Sequence, residues 1–161
     1  MRAHPCALEW THRSFHKPAM YTLTRSLLLL ALLPLAGCVQ DSASYSFPEK
    51  NHAITLVRNQ DWFWQNTLQI RAITVRLPEC NGGLDIAKVP VDAPVDLYQA
   101  PDVYPEPLFL LKIGKRVFAA STQSCRVQRF DAAPPDLGKK MGAFRVKDGT
   151  FQFIPADPGD S

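Results

Sequence analysis

Residues 143–154 read Ala-Phe-Arg-Val-Lys-Asp-Gly-Thr-Phe-Gln-Phe-Ile, with apolar and polar residues alternating on both sides of Asp148-Gly149. An Asp-Gly pair suits a type I′ turn, which needs φ > 0 at both central positions and whose twist matches that of the flanking strands. The stretch therefore predicts a hairpin. Its register sets Val146 opposite Phe151 and Phe144 opposite Phe153. Those four side chains share one apolar face, while Arg145, Lys147 and Gln152 point the other way. Cross-strand aromatic pairs of this kind contribute roughly 0.2–1 kcal/mol each.

The same grammar extends upstream. Residues 108–113 and 116–121 flank Gly114-Lys115, which suits a type II′ turn and faces Leu111 with Phe118 and Phe109 with Ala120. Residues 123–130 read as a strand carrying Cys125, and 131–140 as a Pro-Pro loop. Five prolines fall at 90, 94, 101, 105 and 107. Proline lacks a ladder donor, so this segment predicts a loop or edge strand rather than central sheet, with 95–99 able to pair between prolines. Residues 78–83 read as a turn and 84–89 as a strand. Residues 52–58 are β-branched and apolar, a first strand, and 59–61 a turn. In 67–77 the apolar positions switch face near Ala72, which suggests a bulge or bend. A short helix over 62–69 is the alternative there. Short strands, frequent turns and no helical stripe predict an all-β domain over 51–156, a small antiparallel sandwich or barrel. Residues 157–161 form a polar tail.

Ahead of this domain stands a different kind of sequence. Residues 27–36 are almost wholly apolar, follow Arg25 and end at Gly37-Cys38. A membrane-spanning helix needs roughly 20 apolar residues, so this shorter run fits the core of an export signal. Leu35-Ala36-Gly37-Cys38 resembles the lipobox of bacterial lipoproteins. The resemblance implies acylation of the Cys38 thiol, cleavage just before it, and a signal peptide over 20–37. It further implies the outer membrane, because Val39 stands where an Asp would retain such a protein at the inner membrane. One acyl chain binds only marginally at about 0.8 kcal/mol per buried CH₂; the two or three implied here anchor permanently. Residues 38–50 read as a polar tether.

Residues 1–19 hold His4, His12, His16 and Cys6, a mixture that can bind metal. However, Met20 to Arg25 already forms a complete basic start for a signal. Translation is therefore expected to begin at Met20, with 1–19 a mis-assigned start, and cleavage before Cys38 removes them in any case.

Removing the 37 residues before Cys38 leaves 124 of 161, one ordinary domain. The net charge of +3 belongs to the leader: without Arg2, Arg13, Lys17, Arg25 and Glu9, 14 basic residues face 14 acidic ones. That balance provides no footprint for nucleic acid and no polybasic patch for anionic lipid. Once Cys38 is lipidated and Cys6 removed, Cys80 and Cys125 remain. In an oxidising compartment such a pair is expected to form a disulfide, with redox or metal roles as alternatives.

The mature chain carries one histidine, His52. Ser121, Ser124 and Asp61 are conceivable companions, but no nucleophile-elbow motif accompanies them, and a structural histidine is the expected reading. Zinc catalysis needs three protein ligands, so neither a metal site nor a cofactor is expected. The acidic pairs Glu79/Asp85 and Asp92/Asp96 read as solvated carboxylates. Asn81-Gly82-Gly83 is too short to cradle phosphate.

The run Trp62-Phe63-Trp64 stands out. On a strand, neighbours alternate, so three aromatics cannot all face inward. Core packing, with both faces covered or the segment folded as a loop over an open end of the sandwich, is the expected fate; an exposed stacking surface for a protein or glycan is the alternative. Tyr98 and Tyr104, within the Pro-rich segment, offer a second contact surface. The expectation is thus a non-catalytic binding or structural module, membrane-held through lipid, with an envelope protein or glycan as partner. The alternative is an envelope hydrolase or inhibitor-like protein with a site near His52.

Overall fold

The computed structural model describes residues 39–48, 51–157 and 159, all within the compact unit Ala36–Ser161. The expected start at Met20, the signal segment 20–37, the lipidated Cys38 and the ends of the tether and tail lie outside the described residues.

Among the described residues ten strands follow in chain order: β1 Gln40–Ser46, β2 His52–Asn59, β3 Thr67–Arg76, β4 Cys80–Pro90, β5 Val95–Gln99, β6 Phe109–Ile113, β7 Arg116–Ala120, β8 Val127–Arg129, β9 Lys139–Lys147 and β10 Thr150–Pro155. They form two antiparallel sheets, ordered β1-β2-β3-β4 and β10-β9-β5-β6-β7-β8. The fold is an all-β sandwich; the sheets do not close into a barrel.

Alternation explains the layers. Ile54, Leu56, Ile70 and Ala72 from one sheet meet Leu97, Leu111, Phe118 and Phe144 from the other in a single core. Both predicted hairpins form with the predicted partners: Leu111 opposite Phe118, Phe144 opposite Phe153 and Val146 opposite Phe151. Asp148 and Gly149 have φ of +53° and +77°, as a type I′ turn requires, and Gly114 has φ +58°. Phe144 is fully buried, whereas Val146, one residue from the end of its strand, is 47% exposed.

Several expectations change. Residues 40–46, read as tether, are strand β1, paired along its whole length with β2. Polarity misled there: Ser42, Ser44 and Ser46 face solvent, while Ala43 and Tyr45 turn inward. The segment 90–107 was expected outside the central sheet, yet β5 lies between β9 and β6. Pro94 and Pro101 flank β5 without entering it, so its donors are intact. Residues 123–130 reduce to a three-residue β8, because Cys125 has φ +53° and lies in a turn. Strand β4 already begins at Cys80, and β9 at Lys139. Nor does β3 switch faces. Leu68, Ile70, Ala72 and Thr74 are all buried, with Thr74 taking an apolar position, and Ile73 and Val75 are half-buried on the outer face. The bulge lies on β4 instead. Ala87 and Lys88 together oppose Gln69, and Lys88 has φ +56°.

In an antiparallel sandwich, loops collect at two ends. One end holds 47–51, 77–79, 100–108 and 121–126. The other holds the start of β1 and the turns 60–66, 91–94, 114–115 and 148–149. The first end is tied covalently: Cys80 and Cys125 form a disulfide with Cα atoms 5.9 Å apart. Gly82 permits the approach, since a Cβ there would run into the Cys125 carbonyl oxygen. Closing a loop across a sequence separation of 45 constrains the unfolded chain. Reduction, or the Cys80→Ser/Cys125→Ser pair, is therefore expected to lower the unfolding free energy by about 3–4 kcal/mol, read as a shift in the urea midpoint.

Candidate functional site: an exposed aromatic loop

Residues 60–66 leave β2 and return as β3, and their backbone is held at several points. Gln60, itself buried, receives Val39 at its amide: Gln60 N donates to Val39 O at 2.9 Å. The Gln60 side-chain amide crosses the loop to Gln65 O at 2.6 Å. Gln65 N closes the turn on Trp62 O at 3.1 Å, and Val91 N donates to Asn66 O at 3.2 Å.

Two residues earlier stands Arg58, only 6% exposed. Its Nε and Nη2 donate to the two Asp41 carboxylate oxygens at 2.7 and 2.6 Å. Its Nη1 donates to Val91 O at 3.2 Å, and the guanidinium lies 4.1 Å over the Phe151 ring. One side chain thus joins β1, β2, the 91–94 turn and β10 beneath the loop.

On this base Trp62, Phe63 and Trp64 are 54%, 58% and 62% exposed. The two indoles stack at 5.0 Å with 20° between planes, and Phe63 meets Trp64 edge-on at 4.8 Å. The expected core packing is overturned. The run lies in a turn, where the strand rule of alternate facing does not apply, so all three rings point outward. A contiguous exposed aromatic patch on a turn held by hydrogen bonds is a candidate contact surface.

The other candidates sit elsewhere. His52 is buried at the opposite end of β2 from Asp61. Arg76 Nε donates to His52 Nε2 at 2.8 Å, which leaves the ring proton on Nδ1, facing Thr122 Oγ1 at 3.5 Å. Ser121 and Ser124 serve a turn. Ser121 Oγ accepts from the amides of Gln123 and Ser124 and donates to Glu106, as does Ser124 Oγ. The structure does not bring these groups together as nucleophile and base. Sequence reading missed Glu106, which fastens the Pro-rich loop to the 121–125 turn; no local motif marks it.

Tyr98 and Tyr104 pack on a second apolar cluster of Ala100, Leu110 and Val117, on the outer face of the six-stranded sheet. A shallow cavity of about 220 Å³ opens beside Tyr104, Leu108 and Phe130. Burial raises the pKa of the Tyr98 hydroxyl, Asp96 adds to the rise, and Lys140 opposes it; the phenol stays protonated near neutrality. The tyrosines are remote from the Trp62/Trp64 loop. Asp85 pairs with Arg71 and Asp96 with Lys140 as partly or fully solvated ions. Among the described residues no group of three His, Cys, Asp or Glu side chains stands close enough to hold a metal ion.

Comparison with protein-family models, characterised proteins and solved structures finds no match to this chain. The site is therefore argued from geometry alone.

The Arg58 clamp yields a direct expectation. Asp41→Asn removes the charge that partners a buried guanidinium, and is expected to lower stability by about 2 kcal/mol. Urea unfolding followed by far-ultraviolet circular dichroism measures it.

Proposed function

We propose that the protein is a lipid-anchored module of the bacterial outer membrane that makes contacts rather than turning over a substrate, with Trp62, Phe63 and Trp64 as its contact surface. The observation that carries this reading is the aromatic triplet, more than half exposed at each position, on a loop whose backbone is held at Gln60, Trp62, Gln65 and Asn66. Three large rings held in water are costly unless something covers them in the cell. The anchor is inferred from the lipobox-like Leu35-Ala36-Gly37-Cys38.

Two measurements test the two halves separately. Intact mass of the protein taken from cell membranes is expected to show a chain beginning at Cys38 and carrying fatty acyl mass. A chain that still begins at Met1 or Met20 without acyl mass removes the anchor. A photo-crosslinking amino acid at Phe63 is expected to give adducts in intact cells, and the same group at Val103, 81% exposed at the opposite end of the sandwich, far fewer. Equal, background-level yields at both positions remove the contact surface.

A further inference from the structure

We infer that the surface covered by Trp62, Phe63 and Trp64 is the lipid bilayer itself, at the depth of its headgroups, so that the sandwich stands end-on upon the membrane that holds its acyl chains. This rests on the anchored-module reading and names what the aromatic loop touches.

The link between Cys38 and the first strand has no slack. Had residues 38–50 formed a free tether, the domain could face the bilayer in any orientation. Instead the chain enters the fold at once. Val39 packs against the core, its carbonyl accepts from Gln60 N at 2.9 Å, and β1 begins at Gln40. Cys38 is one peptide unit from Val39, about 3.8 Å between Cα atoms. Acyl chains on Cys38 therefore leave the protein beside Gln60, where the aromatic loop starts. The rings are fixed within a few residues of the point where the bilayer must begin.

The chemistry of the loop fits that depth. Indole rings combine a large apolar body with one N–H donor, and tryptophan is enriched where hydrocarbon gives way to headgroups. Val146, 47% exposed, adds apolar surface at the same end. Lys88, Lys115 and Lys147 are exposed there too, although Asp92 and Asp148 share the end and hold the local charge near balance. The contact is accordingly apolar and interfacial rather than electrostatic. A glycan or protein partner would use the same rings but would not require them beside residue 38.

Nature has placed the probe. After Cys38 the only tryptophans are Trp62 and Trp64, so intrinsic emission reports this loop alone. The test uses the processed, acylated protein from cell membranes, reconstituted into vesicles of phosphatidylethanolamine and phosphatidylglycerol. The expected result is blue-shifted emission, quenching by lipids brominated near the glycerol, and protection from aqueous iodide. A reporter at the opposite end supplies the contrast: Val103 is 81% exposed in the Pro-rich loop. Val103→Trp in a Trp62→Phe/Trp64→Phe background is expected to behave in the reverse manner, open to iodide and untouched by brominated lipid. Quenching by brominated lipid at both positions overturns the end-on orientation. Iodide-accessible, lipid-unquenched Trp62 and Trp64 in a protein of acylated mass overturn the bilayer contact, and leave the anchored-module reading standing with a glycan or protein as the covering partner. Missing acyl mass strikes that earlier reading instead.

Discussion

The guanidinium of Arg58 is the point on which the end of the sandwich that carries the aromatic loop depends. A charge that is 6% exposed is tolerable only when its donors are met, and here two go to Asp41, one to Val91 O, and the flat face to Phe151. These partners come from both sheets and from the turn between them. The pair also fixes the register of β1, with Asp41 opposite Arg58. The backbone of Gln60 and the aromatic loop inherit their position from that register.

The two ends of the sandwich are built to different rules. At one, Cys80–Cys125, the Glu106–Ser121–Ser124 network and the His52–Arg76 contact tie loops to strands. Polar side chains there find partners within the protein, and the Pro-rich loop lies over a small apolar cluster rather than reaching outward. At the other end several backbone groups of the 60–66 turn are hydrogen-bonded, but its large aromatic side chains are turned away from the core. The contrast makes the second end the functional one in the reading proposed here. Three outward rings are a cost to solubility that the loop's own hydrogen bonds do nothing to relieve.

Sequence reading located the aromatic run but assigned it the wrong environment. The strand rule of alternation was applied to residues 62–64, whereas the preceding Asn59-Gln60-Asp61 already carried the turn forward. What decides exposure is the cross-loop bond from Gln60 Nε2 to Gln65 O, which no local pattern announces. The polar stretch before His52 was misjudged for a related reason. Its serines alternate with Ala43 and Tyr45, a strand pattern of low hydrophobicity, and β1 is an edge strand that buries one face only.

Local chemistry alone was enough for the hairpins, their registers, the all-β class and the disulfide pairing. Turn residues with φ > 0 and strict alternation specify short-range pairing without help from distant parts of the chain, and Cys80 and Cys125, the two cysteines of the domain, admit one partner each. Everything that depends on long-range packing was decided by the tertiary structure: the inclusion of β1, the central place of β5 between its flanking prolines, the bulge at Ala87-Lys88, and the outward turn of Trp62, Phe63 and Trp64. These features follow from which strand lies beside which, and that order is set by the joint burial of residues far apart in sequence.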